Sequence, residues 1–144
     1  VTIDGAPVAM NRLMTYKGVL VEDVPNFAFV FGYTNASWTL KADIACEYVA
    51  RLLKYMDERG YTRVVPRGSD AVRGKESVLS SLKSGYVRRG DAMLPRQGTE
   101  APWRVLNDYL RDAPMLRRSR IEDGVLEFER TPVERSQSPA TLTA

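Results

Sequence analysis

The chain has no histidine and a single cysteine, Cys46, among its 144 residues. The first absence removes Ser-His-Asp and Cys-His machinery, histidine general bases and histidine metal ligands. The second removes an internal disulfide and a cysteine metal cluster, so no bound metal is expected. Cys46 stands among Ile44, Ala45, Tyr48 and Val49, which predicts a small buried apolar residue rather than a reactive thiol. Most chemistry that a chain performs with its own side chains is excluded. Catalysis here needs a cofactor.

Long apolar runs are missing too. None approaches the ~18–20 residues of a membrane-spanning helix, and no basic-then-apolar segment of the secretory kind opens the sequence. These features predict a cytoplasmic protein and leave peripheral membrane association open. What is present is ordinary for a globular domain: 44% hydrophobic and 27% charged residues. A length of 144 residues suits one domain with its own core rather than two. The net charge of +3 is mild, and Arg88-Arg89 and Arg117-Arg118-Ser119-Arg120 have acidic residues close by. No nucleic-acid partner is expected.

Along the chain, Asp4-Gly5 marks a tight turn between two short strands, near 2–3 and 7–9. Residues 19–21 read as a brief strand and Pro25-Asn26 as a turn. Residues 27–31, "FAFVF", form a near-continuous apolar run that predicts a strand buried on both faces, the habit of a parallel sheet. From Thr39 to Arg59 the period changes. Leu40, Ile44, Tyr48, Leu52 and Met56 recur at i, i+4, widened by Val49 and Leu53, while Lys41, Glu47, Arg51 and Lys54 take the polar face. Ser37 or Thr39 can cap this helix and Gly60 can end it. Ala42, Ala45, Cys46 and Ala50 would let it lie close against a sheet. Later signals are weaker: a short strand in "YTRVVP", an ambiguous "ESVLSSLKSGYV", a helix over Trp103–Arg111 and a last strand near 125–128. That helix would pack Trp103, Leu106, Tyr109 and Leu110 against the body.

The stretch "FGYTNASWTLKAD", residues 31–43, joins the predicted strand to the predicted helix. Gly32 permits close backbone approach, and the helix start offers unpaired N–H groups and the positive end of the macrodipole. Those groups suit a phosphate, a carboxylate or the pyrimidine edge of a reduced flavin, with Trp38 and Tyr33 as flat apolar surface beside it. A plainer reading is the commoner one at such junctions. Asn35 and Ser37 then make an Asx-type turn and a cap, and Trp38 is a wedge under the helix.

The run from Val24 to Tyr61 resembles the C-terminal region of class B flavoprotein monooxygenases. It is most similar to the Baeyer–Villiger group that includes the ethionamide-activating monooxygenase. "VTIDG", "MTYKGVLV" and "LPRQGTEAPWRVLNDYLRD" fit the same group in the same order. The resemblance implies an enzyme with two doubly wound dinucleotide-binding domains, one for FAD and one for NADPH. Such enzymes reduce FAD with NADPH and use O₂ to oxygenate a ketone or a heteroatom in a small-molecule substrate. It implies an α/β fold in which this region supplies one buried strand, one long amphipathic helix and an irregular C-terminal extension.

Residues 1–130 would be the C-terminal part of the enzyme and 131–144 a disordered tail. The helix start would face the N1–C2 carbonyl side of the flavin. Gly32, Tyr33, Thr34, Asn35, Trp38, Thr39 and Leu40 are the residues carried over as lining the flavin or substrate pocket; none is carried over as catalytic. The family's Gly-rich fingerprints and its histidine-containing fingerprint are not in this sequence, which has no G-x-G-x-x-G. FAD and NADPH would therefore be bound mainly by residues outside this chain. The partner would be the remainder of the enzyme or a second copy. The alternative from another class is a free-standing α/β interaction module without catalytic activity.

Overall fold

One helix organises the chain in the computed structural model, which describes residues 1–79 and 93–130. The predicted tail, and most of the ambiguous segment after Glu76, lie outside the described residues. Helix α1 spans Trp38–Arg59, as the i, i+4 stripe predicts. It stops where Gly60 takes φ +65°, a left-handed conformation that glycine adopts without a Cβ clash. The Gly60 and Tyr61 N–H groups then bond the Asp57 and Met56 carbonyls.

The buried face of α1 carries Lys41, Ile44, Ala45, Tyr48, Leu52 and Met56. The stripe is thus turned slightly from the predicted one: Leu40 is 40% and Leu53 59% exposed, and Lys41 points inward. Cys46 is exposed, against the expectation of burial. The reason is helical geometry. Residues two positions apart do not share a face, so Cys46 lies opposite Ile44 and Tyr48 although it sits between them in sequence.

Around α1 the strands pair in four short antiparallel sets. β1 (Thr2–Ile3) pairs β2 (Ala6–Pro7), and β3 (Thr15–Tyr16) pairs β4 (Leu20–Val21). β5 (Arg63–Pro66) pairs β8 (Leu126–Glu129), and β6 (Arg73–Ser77) pairs β7 (Arg96–Gly98). The first hairpin turns at Asp4 and Gly5, both at positive φ, as the dipeptide predicts. The architecture is a mixture of two described helices and small sheets.

Residues 27–31 do not form the expected doubly buried strand. They run extended past β4, joined to it by an Ala28–Leu20 bridge and a bond from the Phe29 N–H to the Val19 carbonyl. Burial alternates along them: Phe27, Phe29 and Phe31 are half-buried, and Ala28 and Val30 are exposed. The named strand pairs are all antiparallel, and no parallel neighbour pairs with residues 27–31 among the described residues.

The C-terminal helix is also displaced from its predicted place. α2 spans Tyr109–Arg118, not Trp103–Arg111. Asn107 at φ +56° breaks the chain direction, and the Asp108 carboxylate caps the helix by accepting from the Leu110 N–H. Pro114 lies inside α2 and denies a donor to the carbonyl four residues back. That residue, Leu110, is 82% exposed, so water can take the donor's place.

At the centre of the core, Tyr16 and Tyr48 are fully buried. The Tyr16 hydroxyl donates to Asp123, and the Lys17 ammonium lies over both rings, 4.9 and 5.3 Å from their centroids. Burial holds both phenols in their neutral form, raising Tyr16 strongly and pushing Tyr48 up to about 12. A phenol with a raised folded-state value stabilises fully below its unfolded value of about 10. That contribution is lost as pH climbs through the folded value. The denaturation midpoint should therefore hold to about pH 10 and fall beyond it, with tyrosinate absorbance showing the buried phenols lagging the exposed ones. A flat midpoint with all seven tyrosines titrating together would refute this.

Candidate functional site

The junction between residues 31 and 41 is built by folding Trp38 back over Gly32. A Cβ at Gly32 would lie 2.1 Å from the Trp38 ring, so only glycine lets the indole rest on the backbone. The ring sits 5.2 Å from that of Phe31 and Trp38 stays 52% exposed. Trp38 therefore covers the outside of the junction, rather than wedging under the helix.

Tyr33 turns the other way. It is buried, with its ring edge-on to Tyr109 at 6.5 Å and its hydroxyl donating to Asp112 Oδ2 at 3.0 Å. The Lys41 ammonium donates to the same oxygen at 2.9 Å. Burial, reinforced by the neighbouring carboxylate, raises the Tyr33 phenol well above its ordinary range.

Asn107 secures the middle of the loop. Its Oδ1 accepts from the Thr34 N–H at 3.4 Å, its Nδ2 donates to the Thr34 hydroxyl, and its carbonyl accepts from Asn35 Nδ2 at 3.2 Å. Asn35 is thus committed to a distant segment and not to an Asx-type turn of its own.

The start of α1 is left open. Ser37 occupies the cap position, but its hydroxyl pairs with the Thr39 hydroxyl at 2.8 Å and no side chain caps the backbone. The first turn has no acidic residue. Uncapped N–H groups at a helix start attract negative or electron-rich groups. On the outer face, Thr39, Leu40, Ala42, Asp43 and Cys46 line an open depression of about 500 Å³. The inner side is closed: the cavity between Gly32, Tyr33, Lys41 and Asn107 holds only about 10 Å³, the room of one water-sized probe. A ligand at this junction has to lie outside it.

The seven candidate residues therefore fall into two sets. Gly32 and Tyr33 are buried and Thr34 is half-buried, while Asn35, Trp38, Thr39 and Leu40 face out. Sequence reasoning missed Asn107 and Asp112 and placed Lys41 on the polar face. One signal was available: Lys41 stands three and four residues before Ile44 and Ala45, hence on the buried side. An apolar cleft of about 510 Å³ lies toward the other end of α1, lined by Phe27, Ala28, Val49, Leu53, Met56 and Tyr61 among others.

The outer surface suits the edge of a flat, electron-rich ring: an exposed indole, a first turn without a side-chain cap or a carboxylate, and, one turn on, an Asp43 carboxylate balanced by Arg117 at 3.2 Å. It offers nothing for a dinucleotide pyrophosphate, since the sequence has no G-x-G-x-x-G.

Comparison with known proteins accords with that chemistry. The chain is 48% identical over 144 residues to a probable FAD-binding monooxygenase, AlmA, of Acinetobacter baylyi, covering 99% of this chain and 29% of that protein. It is 50% identical over 126 residues to a putative FAD-containing monooxygenase, MymA, of Mycobacterium tuberculosis, covering 88% of this chain and 26% of that protein. It is 46% identical over 133 residues to the FAD-containing monooxygenase EthA of the same organism, covering 91% of this chain and 27% of that protein. The chain thus spans a little over a quarter of the length of these relatives. No family profile matches it, and no solved structure does. The resemblance read from the sequence is a homology, and the relatives are FAD-binding monooxygenases.

Proposed function

We propose that this homologue of the FAD-containing monooxygenases is the C-terminal part of an FAD- and NADPH-dependent enzyme. It inserts one oxygen atom from O₂ into a ketone, in the Baeyer–Villiger manner, or transfers it to a heteroatom, the second oxygen leaving as water with two electrons from NADPH. The observation that carries this reading is the open start of α1: uncapped, free of acid and roofed by Trp38, in a chain whose relatives are named for FAD. The flavin supplies the redox chemistry when bound. The chain's own part is electrostatic and geometric. First-turn N–H groups of α1 would stabilise negative charge on the ring when it is bound, and Trp38 and Leu40 would exclude water beside it. Asn35 and Thr39 offer polar contacts at the same edge. The phosphates of FAD, and NADPH, are held by residues outside this chain.

A second feature fits the same reading. Residues 27–31 leave the N–H and C=O groups of Ala28 and Val30 on the edge away from β4, beside the apolar cleft against α1. Such an edge is a template for another strand. The rest of the enzyme covers it, with the FAD domain's sheet supplying the parallel neighbour that the apolar run calls for. Among the described residues no helix is long and apolar enough to cross a membrane, and we place the enzyme in the cytoplasm.

The reading frame upstream of Val1 tests this proposal. It should encode a G-x-G-x-x-G and a histidine-containing fingerprint. A start codon preceded by a regulatory site would favour the free-standing module. Sedimentation gives an independent check: the chain alone should self-associate through its open edge. A monodisperse monomer with cooperative unfolding would count against the exposed interface.

A further inference from the structure

Asp112 is the most deeply buried charge at the junction, and its partners come from both ends of the loop. Tyr33 precedes the loop and Lys41 follows it, yet both donate to the single oxygen Oδ2, at 3.0 and 2.9 Å. Asn107, on the same short segment as Asp112, holds Thr34 and Asn35. Residues 107–112 therefore grip the loop before, within and after its turn.

This arrangement adds little net stability. Asp112 is 1% exposed, and its Oδ1 has no hydrogen-bond partner among the described residues. A buried ion pair with an unmet acceptor gains little over apolar side chains of the same volume, although stranding one partner is costly. What such a pair does supply is a unique geometry. Lys41 cannot leave the buried side of α1 without abandoning Asp112, and Tyr33 cannot turn outward.

We propose that Asp112 is the positioning residue of the junction: by holding Tyr33 and Lys41 on one oxygen, it fixes where Gly32, Trp38 and the first turn of α1 meet the flavin. This rests on the flavin-facing reading above. Its second effect is electrostatic. The Lys41 charge, one turn into α1, is balanced at contact distance, so the helix start presents its N–H groups without an added unit charge.

Asp112→Asn keeps an acceptor for Tyr33 and removes the charge that holds Lys41. In the 144-residue chain, the double variant Lys41→Met with Asp112→Leu, which strands no charge, should quicken amide hydrogen exchange about tenfold at the bonded Thr34 and Leu40 N–H groups and leave 44–56 unchanged, because the release is local. Equal quickening in both regions would mean a merely structural role, and no change in the loop would mean no positioning; either overturns the proposal. Asp112→Asn strands the Lys41 ammonium, so it should quicken 44–56 as well through a general loss of stability. The double variant should fold, and its failure to fold or to show the loop-specific quickening refutes the proposal.

A second readout separates this claim from the one beneath it. In the FAD-loaded protein from the complete reading frame, Asp112→Asn should shift the flavin midpoint potential upward, because an unbalanced Lys41 favours the negatively charged reduced ring. The double variant should lack that upward shift. Quickened loop exchange with an unchanged potential would sustain the positioning network and overturn the flavin-facing reading.

Discussion

Replacing Lys41 by methionine will lower the stability of the chain by about 3–5 kcal/mol. The side chains of Lys41 and Asp112 are 4% and 1% exposed and 2.9 Å apart. Methionine keeps most of the apolar stem and deletes the ammonium, leaving a buried carboxylate to which, among the described residues, only the Tyr33 hydroxyl donates. Water cannot reach Asp112 to compensate. The contrast is Lys54–Glu58, 3.9 Å apart with side chains 78% and 55% exposed. Removing Lys54 should cost no more than about 0.5 kcal/mol. Urea denaturation at fixed protein concentration measures both, and a loss below about 1 kcal/mol at Lys41 would contradict the buried-pair account.

Arg73→Met will cost about 2–3 kcal/mol, somewhat less because the guanidinium is 35% exposed. Arg73 binds Glu22 through two nitrogens, each at 2.9 Å, and also donates to the Arg12 carbonyl at 2.9 Å. Glu22 is 2% exposed, and its remaining bond comes from the Met14 N–H at 2.9 Å. The pair ties β6 to the segment that carries β3 and β4. Its surroundings leave no room to relax, since even a Cβ at Gly68 would meet Glu22 Oε1 at 2.1 Å. Arg73→Lys should recover only part of the loss, because an ammonium cannot make the two-pronged contact. Full recovery by lysine, read from the same denaturation curves, would show that charge alone matters here.

Local signals carried much of this fold. The α1 stripe, the Gly60 stop and the Asp4-Gly5 turn are each set by residues within a few positions, and each appears where expected. The β5 and β8 strands were legible, but their pairing was not, because it joins residues sixty apart through the core. The burial of Lys41 was legible from its spacing to Ile44 and Ala45, but its partner was not, because Asp112 lies 71 residues away. Trp103–Arg111 misled because a helical apolar spacing survives in a segment that Asn107 breaks, and the helix starts only at Tyr109. The run at 27–31 was read as doubly buried from its apolarity alone. That pattern is informative in another way, because its open edge and its apolarity together describe a surface made to be covered.

At the site, residues 31–43 drew attention through their Gly, Asn, Ser and Trp content at a turn into a helix. The structure adds which way each one faces. Tyr33 serves the interior, Trp38 the exterior, and the grip of Asn107 and Asp112 had no local signal that distinguished it from a helix cap.

The visible spectrum of bound FAD tests the central claim most directly. The protein from its complete reading frame should bind FAD, the 144-residue chain alone should not bind it tightly, and Trp38→Ala in the former should alter the flavin bands. A tight flavin spectrum from this chain alone would contradict the account. So would a flavin spectrum indifferent to the loss of Trp38.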